Sequence, residues 1–238
     1  MGMRKAWGLC VLVTLSVVIG YGGDNGSDLA LGTTTVTTSP DNASHPADPL
    51  PLRSGSPVLL LFHGGAFLFG DPTLIDRAAT EARSRGFKTV QVAYPLGDPE
   101  RALRVARQTA RRYPPDREVY VYGESAGGAL AGRLVQARRL GIDGAALYSP
   151  TVDTTALIDQ FADATRLPLM GHRVRAPTLA LVAKSEATTP TYARDIRQWA
   201  RADRRVTLRR VPGDHLGSGG EYMSNMRGAI RWLAGRAR

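Results

Sequence analysis

The 238-residue sequence has a single cysteine, Cys10, and it falls in the first apolar stretch. The rest of the chain therefore carries no disulfide framework and no thiolate metal site. Lysine is nearly absent as well. Lys5, Lys88 and Lys184 are the only three, so almost all of the 31 basic residues are arginine. Such a skew often follows from GC-rich coding rather than from selection for a ligand. Aromatic residues are only 7% of the chain, and none are interleaved with basic residues in the manner of a nucleic-acid surface. The net charge of +10 is thus read without a nucleic-acid partner. Arg101, Arg104, Arg107 and Arg111 are spaced to share one helix face. They are read as a solvated face rather than a docking site for an anionic partner.

Long apolar runs are also missing. Ala6–Ile19 is shorter than the roughly 20 residues that a helical membrane span needs. It follows Arg4 and Lys5 and precedes Gly20, Gly22 and Gly23, so residues 1–23 read as a secretory signal. The expectation is an exported protein with no stable membrane insertion after cleavage, or an anchored one if the signal is kept. Leu9 stands before Cys10 where a lipoprotein-type site takes a small residue, so lipidation is not expected.

Residues 24–56 are rich in Thr, Ser, Gly, Asp and Pro, densest at Thr33–Thr38. Such a segment buries too little apolar surface to offset its ordering entropy. It reads as a linker or loose arm, with residues 33–38 as an alternative edge strand. Asn25 and Asn42 begin glycosylation sequons.

From residue 57 the pattern alternates. Apolar runs at Val58–Phe62, Lys88–Ala93, Val119–Tyr122, Ala145–Tyr148, Thr178–Val182 and Val206–Val211 predict six strands. Helices are predicted over residues 73–86, 99–113, 126–140, 191–202 and 220–235. In the last, Tyr222, Met226, Ile230 and Leu233 form one apolar stripe, read as core. This alternation predicts an α/β fold, a mostly parallel sheet with helices on both faces. Residues 151–176 have no strong period and read as a short cap.

Two motifs fall at strand ends, where ligands bind in such sheets. His63-Gly64-Gly65-Ala66-Phe67 follows the first strand, and Gly123-Glu124-Ser125-Ala126-Gly127-Gly128 follows the third. A serine hydroxyl attacks poorly until a base takes its proton, and it must stand clear of the backbone. A G-x-S-x-G turn between strand and helix gives Ser125 that position. A tetrahedral intermediate also needs fixed N–H donors for its oxyanion. Ala126 is expected to supply one, and Gly65 and Ala66 others, with Gly64 completing the hole and shaping the approach.

The base is sought among four histidines. His45 lies in the linker, and His63 precedes the nucleophile and reads as structural. His172 lies in the cap. His215 follows the sixth strand and is the expected base. The orienting acid should follow the fifth strand, where Glu186 stands. Asp153, after the fourth strand, is its rival, and Asp195 and Asp214 are weaker candidates.

At these residues the chain resembles the α/β-hydrolase superfamily, and within it the hormone-sensitive-lipase-like esterases. That family carries H-G-G-G-[FW] and G-[DE]-S-A-G-G motifs, matched by residues 63–67 and 123–128. Ser149-Pro150-Thr151-Val152-Asp153 is similar to its S-P-W-x-D segment, which implies a structural Asp153. The resemblance covers about residues 57–238 and implies an α/β-hydrolase fold with the order Ser125, Glu186, His215. Several features depart from the pattern. Ala66 replaces the third glycine, Glu186 stands where aspartate is commoner, and Ala183 stands where glycine is usual. Six strands are found where the family has eight, so the N-terminal strands and cap are read as truncated.

The expectation is a serine carboxylesterase acting on short-chain esters of small molecules. No metal or other cofactor is implied. Cleavage of amides or peptides by the same residues, and a non-catalytic binding protein on this scaffold, are the alternatives.

Overall fold

A computed structural model describes residues 55–153, 167, 170–171, 173–186, 192–215 and 220–237. The predicted signal, nearly all of the linker, the centre of the cap, His45 and His172 lie outside the described residues. Six strands follow in chain order, with described helices between them except between β4 and β5. They are β1 (Val58–Phe62), β2 (Lys88–Gln91), β3 (Val119–Glu124), β4 (Ile142–Tyr148), β5 (Thr178–Ser185) and β6 (Val206–Asp214). Five α-helices are described: α1 (Asp76–Ser84), α2 (Pro99–Ala110), α3 (Ala126–Gln136), α4 (Tyr192–Arg201) and α5 (Glu221–Ala234). All neighbouring strands pair in parallel, in the order β2-β1-β3-β4-β5-β6.

The strand period of two sorts side chains onto two faces. Val58, Leu60, Phe62, Val119 and Val121 pack with α2, α3 and α4, through residues such as Leu103, Leu130, Ile196 and Trp199. Leu59, Leu61, Tyr120 and Tyr122 pack on the other face with α1 and α5, through Ala79, Met226, Ile230 and Leu233. All five residues of β1 are fully buried, as a strand covered on both faces must be. The predicted stripe on α5 is therefore core at Met226, Ile230 and Leu233. On α2, Arg101 and Arg104 are exposed, as is Arg111 just past its end, while Arg107 on the same predicted face is half-buried.

Most element ends differ from the sequence expectation by one to a few residues, and for three of them the contacts supply the physical reason. Helix α3 stops at Gln136 rather than residue 140, because the Val135 carbonyl accepts from Arg175 N at 2.9 Å. Strand β4 starts at Ile142 rather than Ala145, where the Asp143 carboxylate accepts from Val119 N at 2.8 Å. Strand β6 runs on through Pro212 to Asp214. As an edge strand it tolerates a residue that cannot donate.

From β1 the chain steps outward to β2, then returns to lie as β3 on the other side of β1. Such a reversal opens a crevice at the carboxyl ends of the two central strands. Both motifs singled out in the sequence begin there.

Candidate active site

Ser125 occupies the turn between β3 and α3 with φ 51° and ψ −115°. Left-handed φ is costly for a residue with a Cβ, and holding it requires tightly determined surroundings. The flanking glycines show how the turn is held. A Cβ on Gly123 would lie 2.2 Å from the Gly127 carbonyl oxygen. One on Gly127 would lie 2.2 Å from the Phe62 oxygen and 2.3 Å from that of His63. The elbow is thus pressed against the end of β1, and the two motifs are in direct contact. Ser125 N donates to the Tyr148 oxygen at 2.9 Å, which ties the turn to β4 as well.

The loop after β1 lies over Ser125. A Cβ on Gly64 would come within 3.5 Å of Ser125 Cβ. Gly65, Ala66 and Phe67 then take left-handed backbone in succession, at φ 108°, 53° and 65°. Ala66, which stands where glycine is usual in the resembled family, adopts this conformation with its side chain. The turn closes where Leu68 N and Phe69 N donate to the Gly65 oxygen at 2.9 and 3.1 Å. His63 braces it from below. Its ring is 2% exposed, stacks on Tyr94 at 4.3 Å, and places Nδ1 2.6 Å from the Gly64 oxygen. Tyr94 donates its hydroxyl to the His63 oxygen at 2.7 Å. Burial pulls the His63 ring below its ordinary value, which favours a neutral imidazole with Nδ1–H on Gly64. This ring is committed to the loop.

His215, just past β6, places Nε2 2.9 Å from Ser125 Oγ. Its Nδ1 is 2.7 Å from Glu186 Oε1, a short approach in which the oxygen stands off the N–H axis. Such contacts are often poorly aligned before substrate binds. The sheet explains why these two residues meet. After a register shift between Ala183 and Ser185, Ser185 pairs with Asp214. The next residue on each strand is Glu186 and His215. Ser125, His215 and Glu186 therefore lie in turn, as a relay of close contacts, at the carboxyl ends of β3, β6 and β5.

Asp153 and Asp195 lie elsewhere. Asp153 faces the buried Arg133 guanidinium and lines a cleft with Met170, Arg194 and Trp199. Burial lowers Arg133 to about 10, and the Asp153 charge works against that shift. Asp195 sits 3.1 Å from Arg194 Nε. The Asp214 carbonyl accepts from the Tyr148 hydroxyl at 3.1 Å.

Two side chains at the relay were not singled out in the sequence as parts of it. Ser149, fully buried at φ 39°, donates its hydroxyl to Glu186 Oε2 at 2.7 Å. Its place in the Ser149–Asp153 segment was the available signal. Tyr192, the first residue of α4, donates to the Ser149 oxygen at 3.0 Å and meets Thr151 Oγ1 at 2.6 Å. The ring stands edge-on to His215 at 5.1 Å. Among the described residues, no group of three or more His, Cys, Asp or Glu is placed to hold a metal ion. No described helix is long and apolar enough to cross a membrane.

A strained serine on a strand-to-helix turn, reached by a histidine and a carboxylate from later strand ends, is the arrangement of an α/β hydrolase. The model of the alpha/beta hydrolase fold family matches residues 59–184, more than half of the chain. The chain belongs to this family. Solved structures share the fold at low identity. An esterase/lipase from an uncultured bacterium is 19% identical with a TM-score of 0.61, covering 77% of this chain and 78% of that one. A propionate-bound thermophilic esterase from Thermogutta terrifontis is 20% identical with a TM-score of 0.61, covering 80% and 86%. A dienelactone hydrolase from Anabaena variabilis is 15% identical with a TM-score of 0.60, covering 78% and 88%. No protein of curated function matches the sequence at a significant level.

Proposed function

We propose that this α/β hydrolase is a serine esterase that cleaves carboxylic esters through an acyl-enzyme intermediate. The observation that carries the reading is the relay from Ser125 Oγ to His215 Nε2 at 2.9 Å, continued from His215 Nδ1 to Glu186 Oε1 at 2.7 Å. In the first half-reaction Ser125 Oγ attacks the ester carbonyl carbon while His215 Nε2 takes its proton. The C–O bond to the alcohol then breaks, and His215 returns the proton to the departing oxygen. In the second half-reaction water attacks the Ser125 ester and gives its proton to His215. The carboxylic acid leaves, and Ser125 regains its hydrogen. Glu186 holds the ring with Nδ1–H inward and stabilises the imidazolium that forms twice per cycle.

The oxyanion is assigned to backbone N–H groups of Ala126, Gly65 and Ala66, with Gly64 against the nucleophile. Ala126 begins α3, so its N–H lies at the positive end of a helix dipole. Each such donor contributes roughly 3–4 kcal/mol to the transition state. The substrate is proposed to be a small-molecule ester with a short acyl chain. Export is proposed from residues 1–23, and N-terminal sequencing of the mature chain tests it.

A fluorophosphonate probe tests the nucleophile. Folded wild-type protein is expected to be labelled at Ser125, and Ser125→Ala is expected to lose both labelling and p-nitrophenyl acetate hydrolysis. A folded wild-type protein that takes no label instead supports the reading of a binding protein on this scaffold. Full hydrolysis by Ser125→Ala removes Ser125 from the role.

A further inference from the structure

Tyr192 opens the buried stripe of α4 that continues through Ile196 and Trp199. Its ring fills core space, as theirs do, but it also stands against the base. The Tyr192 and His215 rings are perpendicular, at 88°, with centroids 5.1 Å apart. Edge-to-face pairs of this kind are a favoured aromatic geometry. The torsion that turns an imidazole about its Cβ–Cγ bond is broad, so the side chain alone does not fix its ring plane. Any such turn would carry Nε2 away from Ser125 and Nδ1 away from Glu186 together. The Tyr192 ring is placed to resist it. The hydroxyl reaches the other two members of the relay through the segment after β4. It donates to the Ser149 carbonyl at 3.0 Å. A phenol has one hydrogen, so in the 2.6 Å contact with Thr151 it is Thr151 Oγ1 that donates. Ser149 sends its own hydroxyl to Glu186 Oε2 and its N–H to the Leu181 carbonyl at 2.8 Å. With Tyr192 on its carbonyl, every polar group of Ser149 is engaged, as a residue strained at φ 39° requires. Thr151 N donates to the Ser125 carbonyl at 3.1 Å.

We propose that Tyr192 is a positioning residue for the whole relay: its ring holds the plane of the His215 imidazole, and its hydroxyl holds the Ser149–Thr151 segment that steers Glu186 and anchors Ser125. This inference rests on the serine-esterase reading above. Tyr192 packs on His215 directly, and it reaches Glu186 through Ser149 and Ser125 through Thr151. It acts through these groups and needs no contact with substrate. Core packing alone accounts for an aromatic ring at this position. It does not account for a buried hydroxyl whose two partners both lie in the segment that serves the relay.

The test uses the full chain and p-nitrophenyl acetate, with kcat and KM read separately under conditions where urea curves show each variant folded. Tyr192→Phe keeps the ring and removes the hydroxyl. It is expected to lower kcat roughly tenfold with KM little changed. Tyr192→Leu removes the ring as well and is expected to lower kcat up to about a hundredfold, the scale of a displacement of about 1 Å at a reacting group. The rate of fluorophosphonate labelling at Ser125 is expected to fall in step with kcat, because the probe needs the same activated hydroxyl. A residue that only packs the core would lower the urea midpoint and leave the kcat of the folded protein unchanged. Full kcat in either variant therefore overturns the proposal, as does a loss carried by KM alone. If Tyr192→Leu does not fold, Thr151→Val takes its place. That variant leaves Tyr192 whole but removes the hydroxyl that donates to it, and it is expected to lower kcat by a smaller factor than Tyr192→Phe. Full kcat there overturns the proposal equally. Labelling of the wild type separates the two levels. No label at Ser125 removes the underlying esterase reading, whereas a labelled wild type with full kcat in the variants removes only the role of Tyr192.

Discussion

Glu186 and His215 are cross-strand neighbours one step beyond the last paired residues of β5 and β6, Ser185 and Asp214. The meeting of acid and base is therefore set by strand register rather than by a loop finding its partner. A register shift between Ala183 and Ser185 brings this pairing about. The short segment on either side then fixes both groups on rigid backbone.

This register separates the two candidate acids experimentally. Glu186→Gln keeps the shape but loses the charge at His215, and kcat on p-nitrophenyl acetate is expected to fall roughly a thousandfold or more. Asp153→Asn leaves the relay intact and is expected to keep most of the rate. Its cost should appear in stability instead, about 1–3 kcal/mol in urea denaturation, because Arg133 stays buried with less countercharge. A large rate loss in Asp153→Asn with Glu186→Gln active would reverse the assignment.

Ser149 supplies a second check on the same carboxylate. Its hydroxyl on Oε2 fixes the Glu186 rotamer that faces Nδ1. Ser149→Ala is expected to lower kcat about tenfold, with KM little changed, because outer partners of a functional group commonly contribute that much. Stability should fall by roughly 1–3 kcal/mol, since a buried acceptor loses its donor. A variant that keeps full kcat while losing stability would leave Ser149 a packing residue.

The strands and the helices were legible in the sequence because both sheet faces are covered, so the strands appear as apolar runs such as Val58–Phe62. The convergence of Ser125, His215 and Glu186 was legible because strand ends are where such side chains meet. The Ser149–Glu186 contact joins residues 37 apart, and the Tyr222–Glu124 contact residues 98 apart. Neither leaves a local pattern, because each depends on how β4 and α5 lie against β3 and β5. The element ends were misjudged for the same reason. Nothing near Val135 announces that its carbonyl bonds Arg175.

The contact between the two motifs predicts a sharp difference among glycines. A Cβ on Gly127 would meet two carbonyl oxygens of β1 and its loop, and backbone cannot yield as a flexible side chain can. Gly127→Ala is expected to lose more than about 4 kcal/mol in urea denaturation, or to be insoluble. Gly86 has left-handed φ of 87° and open space around it. Gly86→Ala is expected to lose only about 1–2 kcal/mol, the strain of the conformation alone. Equal losses at the two positions would show that the elbow is not pressed against β1.

His63 makes the stability of the loop after β1 depend on pH, because burial disfavours its charged form. The folded-state value is lowered from 6.5, with burial as the leading cause. Above 6.5 the ring is neutral in both folded and unfolded chains, and its contribution is fully present. As pH falls below 6.5, the unfolded chain takes up a proton that the folded chain refuses. Stability is then lost, at up to about 1.4 kcal/mol per pH unit, until the folded-state value is reached. Most carboxylates titrate at lower pH, so comparing unfolding at about pH 7 and pH 5.5 weights the measurement toward histidines. His63→Asn retains a side-chain N–H for the Gly64 oxygen and removes the titration. The variant is expected to lose less stability than the wild type over that interval, by roughly 1 kcal/mol. Equal losses in the two proteins would mean that His63 takes up its proton while still folded, and the loop would then not depend on a neutral ring.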